Sequence, residues 1–134
     1  MQRIEHIGIA VKNLDQAEAI YEALLGTPSY KREEVASEKV ITSFFKAGQK
    51  IELLASTSED GVIAKYIEKR GEGIHHIAFH VDDIYAEMQR LREAGFTLLQ
   101  DQPKKGADGK LVCFVHPKGT NGVLVELCMD DDVR

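Results

Sequence analysis

Tryptophan is missing from the 134 residues, cysteine occurs twice and proline three times, and these shortages narrow what the chain can be. Cys113 and Cys128 sit in apolar runs with no CxxC spacing, so neither a disulfide framework nor a thiolate cluster is available. Both are expected to be buried thiols. Positive charge is in deficit: 17 Lys and Arg stand against 22 Asp and Glu, a formal net charge of −5. That balance gives no electrostatic footprint for nucleic acid. No apolar run approaches the ~20 residues that span a bilayer. The start MQRIEHIGIAV has neither the apolar core nor the cleavage site of a secretory signal. The expectation is a cytoplasmic chain with no nucleic acid and no membrane among its partners. Apolar residues make up an ordinary 43%, enough for one globular domain or two small halves sharing a core.

Three of the five histidines crowd into GIHHIAFHV, residues 73–81, where Ile77, Phe79 and Val81 mark a strand. Alternation places His75 on the face of those apolar residues, and His76 and His80 on the other with Ala78. The stretch has a counterpart. IEHIGIAVKNLDQAEAIYEALLG from Ile4 and IHHIAFHVDDIYAEMQRLREAGF from Ile74 align without a gap at an offset of 70, His6 matching His76. Each strand runs through a polar turn into an amphipathic helix, with Leu14, Ala17, Ile20, Tyr21 and Leu24 inward in one and Ile84, Met88 and Leu91 in the other. Asn13 and either Asp82 or Asp83 serve as caps, and Gly26 and Gly95 as stops. Strands follow in VITSFFKAG and KIELLAS, and again in KLVCFVHPKG and GVLVELCM, with a further short strand expected around 30–34 and 97–100. SEDGVIAKYIEKRGEG reads as a connecting helix with Ile63, Tyr66 and Ile67 inward, ending at Gly71. The expected fold class is therefore α+β: paired βαβββ modules, 1–57 and 74–134, joined by a helix within 58–73 and forming a cleft-bearing mixed sheet in one domain, 1–134.

The repeat also matches acids. IELL at 51–54 corresponds to VELC at 125–128, at an offset of 74, and the four extra residues fit inside loops. Ile51 and Leu53, like Val125 and Leu127, should face the helices, which turns Glu52 and Glu126 the other way. A lone strand histidine is usually a surface or satisfied residue. Here each half contributes one His and one Glu, and burying an unpartnered carboxylate costs several kcal/mol. Pseudo-twofold packing would converge His6, Glu52, His76 and Glu126, a donor set suited to a divalent transition metal with positions left open. His75 falls to the core side. His80 lies further along and is a candidate substrate contact or a surface residue.

These residues resemble, over nearly the whole chain, the vicinal oxygen chelate (glyoxalase/bleomycin resistance) superfamily, through the paired modules and the order His, Glu, His, Glu. Within it, IEHIGIAV, KIELLAS, GEGIHHIAFHVDDI, QPKKGADGK and FVHPKGTNGVLVEL are similar to the methylmalonyl-CoA epimerases. The resemblance implies His6, Glu52, His76 and Glu126 as ligands of a divalent ion (Co, Mn, Ni or Zn), the second position also accepting glutamine. It implies an isomerase that interconverts (2R)- and (2S)-methylmalonyl-CoA by C2 proton abstraction through a metal-stabilised enolate, with Glu126 as the base. Some members carry a second acid/base glutamate in the strand before the second ligand. VITSFFKAG places Thr42, a poor base, at that point, and Glu38 fits it only with a register shift of several residues. Glu52, the pseudo-symmetric partner of Glu126, takes the second catalytic role in this reading. Lys104, Lys105, Lys110 and Lys118 lie in loops where a cation can meet a CoA phosphate; Lys110 and Lys118, with His80, are the expected substrate contacts. The family also implies a homodimer acting on an acyl-CoA. The alternatives are a lactoylglutathione lyase-like or other isomerase or lyase of the superfamily, and a non-catalytic small-molecule-binding protein of the same fold. HPKGTNG, standing where the lyases have a DPDGY-like segment, argues against the lyase, and the full ligand set argues against the binding protein.

Overall fold

The computed structural model describes residues 1–131, which form two compact units: His6–His75, and Met1–Glu5 together with the chain from His76 onward. Each is a curved sheet with a helix packed on one face. Together they supply two βαβββ modules and an α+β fold. Residues 132–134, which the expected second module includes, lie outside the described residues.

In the first unit, β1 (Arg3–Ala10, from His6 onward) runs parallel to β4 (Gln49–Ser56), β4 is antiparallel to β3 (Val40–Ala47), and β3 to β2 (Lys31–Val35). Helix α1 (Leu14–Leu25) starts where the Asn13 side chain accepts from Gln16 N–H and stops at Gly26, whose φ of 74° is left-handed. Leu14 and Ala17 pack with Tyr21 and Leu25 onto Phe45, Leu53 and Ala55. Two expected core positions are corrected here: Ile20 is 63% exposed and Leu24 70%. At about 100° per residue the stripe through Leu14, Ala17, Tyr21 and Leu25 is the one that meets the sheet, and the Ile20–Leu24 pair lies beside it. Helix α2 (Val62–Arg70) sets Ile63, Tyr66 and Ile67 against Ala10, Val40 and Leu54, on the sheet face opposite α1. Tyr66 also donates to the carbonyl of Ile74 and meets the His75 ring edge-on at 4.8 Å.

The second unit repeats the order. β5 (Gly73–His80, from His76 onward) is parallel to β8 (Val125–Asp130), which is antiparallel to β7 (Lys110–Val115), itself paired with the two-residue β6 (Lys104–Lys105). Helix α3 (Ile84–Glu93) is capped by Asp83, which accepts from the Tyr85 and Ala86 N–H groups. It buries Ile84, Met88 and Leu91 against Cys113, Val115 and Leu127. Met1–Glu5 joins this unit through Gln2 N–H to the His80 carbonyl. The strand expected around 97–100 is reduced to a single bridge, Leu98 to Val115. Competing partners explain it: the Gln100 side chain takes the Phe114 N–H, and Arg92 binds the carbonyls of Gln100 and Asp101. Pro103 then has no N–H to extend the ladder. Both cysteines are buried and free. Among the described residues no helix is long and apolar enough to cross a membrane.

Candidate active site

Strand parity sets each half of the site. In the first unit, Ile9, Ile51 and Leu53 pack toward α1, which sends His6 on β1 and Glu52 on β4 to the other face. Both are buried, at 4% and 5% exposure, and His6 Nδ1 lies 3.1 Å from Glu52 Oε2. Gly8 stands opposite Glu52 across the parallel ladder and Phe44 opposite it on β3. In the second unit Val125 and Leu127 pack toward α3, and His76 and Glu126 are buried on the far face. His76 Nε2 lies 3.1 Å from Glu126 Oε1. Ala78 and Phe114 flank Glu126 in register as Gly8 and Phe44 flank Glu52. A small residue on one side leaves room above the carboxylate, and an aromatic ring on the other excludes water from it.

The structure joins His6 to Glu52 in one unit and His76 to Glu126 in the other, two like pairs. A carboxylate this deeply buried needs a partner, and each finds an imidazole that holds it in place. Each pair offers one nitrogen and one oxygen donor and no sulfur, the chemistry of a borderline divalent cation. The donor set fits the ion that the sequence implies.

Sequence reasoning missed the aromatic and cationic layer beneath the pairs. Phe114 meets His76 edge-on at 5.7 Å, and Lys104 Nζ stands 5.8 Å from the Phe114 centroid. In the first unit Lys31 Nζ is 4.7 Å from the Phe44 centroid. The signal was present, because Phe44 and Phe114 are separated by 70 residues as His6 and His76 are. Lys50, 3.8 Å from Glu52 Oε2, was also missed. Thr42 is fully buried on the face of Phe44, across from Leu54, and Glu38 sits in a short turn outside β3.

The remaining expected contacts are His80, Lys110 and Lys118. His80 lines a cavity of about 340 Å³ with Val81, Tyr85, Leu111, Met129 and Asp130. Its Nδ1 has no hydrogen-bond partner among the described residues, and its Nε2 is 3.6 Å from Asp82. Lys110 is bound to Asp130, and this hydrogen bond holds the Asp130 carboxyl below the usual range. Lys118 is exposed in the turn Pro117–Gly119. Behind β3, Ser43 donates to Glu18 of α1, so the helix is tied to the strand that carries Phe44.

Residues 5–114 match the model of the Glyoxalase/Bleomycin resistance protein/Dioxygenase superfamily, and the chain belongs to that superfamily. Several of its relatives form a narrower group within it. The chain is 43% identical to an ethylmalonyl-CoA/methylmalonyl-CoA epimerase of Cereibacter sphaeroides, over 93% of this chain and 96% of the relative. It is 41% identical to the uncharacterized protein YqjC of Bacillus subtilis, over 96% and 92%. A solved variant of Streptomyces coelicolor methylmalonyl-CoA epimerase, in complex with 2-nitronate-propionyl-CoA, superposes with a TM-score of 0.93 at 35% identity, covering 100% of this chain and 98% of that one.

Proposed function

We propose that the chain is a methylmalonyl-CoA epimerase that uses a divalent metal ion. The observation that carries this reading is the pair of buried His–Glu contacts, each 3.1 Å, at matching positions of the two modules, in a chain so similar to named epimerases. His6, Glu52, His76 and Glu126 would hold one ion between them, with Co, Mn, Ni and Zn all compatible with nitrogen and oxygen ligation. When bound, the ion's contribution is Lewis acidity at the thioester oxygen, which lowers the cost of removing the C2 proton.

The protein's own groups then move that proton. C2 lies between a thioester carbonyl and a carboxylate, and inversion requires loss of its proton to one face and return from the other. Glu126 takes the proton on a carboxylate oxygen. Glu52, its counterpart, returns one from the opposite side, and the assignments reverse for the other isomer. Each imidazole holds its glutamate at a fixed angle, and Phe44 and Phe114 keep water from the carboxylates. Thr42, a neutral hydroxyl, moves no proton. Lys110 and Lys118 are assigned to the CoA portion of the substrate and His80 to a further substrate contact, and the working form is taken to be a homodimer by family resemblance.

Incubating the protein with (2S)-methylmalonyl-CoA in D2O, after chelation and after adding back Co2+, tests the reading. Metal-dependent deuterium at C2 together with appearance of the (2R) isomer is expected. No exchange in the metal-loaded protein would refute it, and turnover of a glutathione hemithioacetal instead would assign the chain to the lyase branch.

A further inference from the structure

Lys50 breaks the repeat. Glu52 and Glu126 correspond at an offset of 74, so the counterpart of Lys50 is Leu124, an apolar residue. Lys50 stands opposite His6 in the parallel ladder and shares a strand face with Glu52. Its Nζ is 3.8 Å from Glu52 Oε2 and 5.9 Å from the Phe44 centroid. Only 14% of its side chain is exposed. Lysine normally carries its ammonium out to water, whereas here the charge stays beside the glutamate. Lys31 approaches the same Phe44 ring, so the first unit gathers positive charge around Glu52, which reaches the reacting carbon in the proposed reaction, and Lys50 pairs with that glutamate directly.

A substrate of the proposed reaction carries a free carboxylate on C2 itself. Any glutamate that reaches C2 therefore has that anion beside it, and like charges so close repel unless cations stand with them; Lys50 adds such a cation to the ion that the pairs would hold. We propose that Lys50 Nζ recognises this carboxylate and so selects acyl-CoA thioesters that bear a carboxyl group on C2. The inference rests on the reading under Proposed function. It makes Lys50 a specificity-determining residue of the first module, with no counterpart in the second.

The test compares two ligands that differ only in that carboxylate. Methylmalonyl-CoA and propionyl-CoA are titrated calorimetrically into metal-loaded wild type, Lys50→Met, Lys50→Gln and Lys50→Arg, with metal content and circular dichroism checked for each. Loss of one charge-assisted contact should weaken methylmalonyl-CoA binding about ten- to a hundredfold in Lys50→Met. Propionyl-CoA binding should be unchanged, and Lys50→Arg should restore most of the preference. In turnover, KM should rise more than kcat falls. If Lys50→Met misfolds, the Gln and Arg variants carry the comparison. A preserved preference, an equal loss for both ligands, or loss of the metal with both affinities would overturn the proposal. The titrations need no turnover, so a wild type that binds methylmalonyl-CoA with the Lys50-dependent preference yet inverts nothing would refute the epimerase reading alone.

Discussion

Replacing Glu18 by glutamine tests how the helix is fixed to the strand beneath the site. Glu18 accepts Arg32 Nε at 2.8 Å and Nη2 at 2.5 Å, and Ser43 donates to it at 2.5 Å. The hydrogen bond from Arg32 lowers the Glu18 pKa; burial opposes this, Ser43 adds to it, and the net result is below the ordinary value of 4.5. Glutamine keeps the shape and loses the charge. Hydrogen bonds to charged groups contribute about 1.5–3 kcal/mol and neutral ones about 0.5–1.5, so the change should cost roughly 1–3 kcal/mol at pH 7. At this chain length that corresponds to about 4–10 °C in Tm. A group with a depressed folded pKa contributes stability above its unfolded value and loses it as pH falls through the folded one. Urea titrations of wild type and Glu18→Gln should therefore differ at pH 7, and the gap should shrink as pH falls below the ordinary value of 4.5. Equal stability at pH 7, or a gap that does not shrink at all in strong acid, would refute the reasoning.

Other outcomes follow from the same contacts. Phe44 is fully buried, and Phe44→Ala should cost about 3–5 kcal/mol in urea unfolding. Phe114→Leu removes the edge contact to His76; it should weaken Co2+ binding severalfold by titration while the fold persists. Asp83→Ala removes the cap of α3 and should destabilise by about 1 kcal/mol. Burial pushes the Cys113 thiol pKa up, so iodoacetamide at neutral pH should spare it in the folded protein and label it in urea.

The repeat made the modules legible. A match of His6 to His76 and of Glu52 to Glu126 carries strand parity with it, and parity alone decides which side chains leave the helix-packed face. What escaped notice depends on the third dimension. Ile20 and Leu24 have helical spacing, yet only the sheet decides which of two adjacent stripes is covered. The segment 97–100 has strand-like composition and keeps ladder bonds at Thr97 and Leu99, but at Gln100 side chains take over and the ladder stops. Phe44 and Phe114 looked like ordinary strand residues until the antiparallel register set them against the glutamates. Lys50 reads as a surface lysine at the start of KIELLAS, and its burial comes from the neighbouring strands.

The two-glutamate assignment is tested most directly by Glu52→Gln, loaded with Co2+ to the same content as wild type and given each pure isomer of methylmalonyl-CoA in D2O. Deuterium should enter C2 of only one isomer, the one whose C2 proton faces Glu126, with configuration retained and inversion lost. Exchange and inversion of both isomers at near wild-type rates would contradict the account.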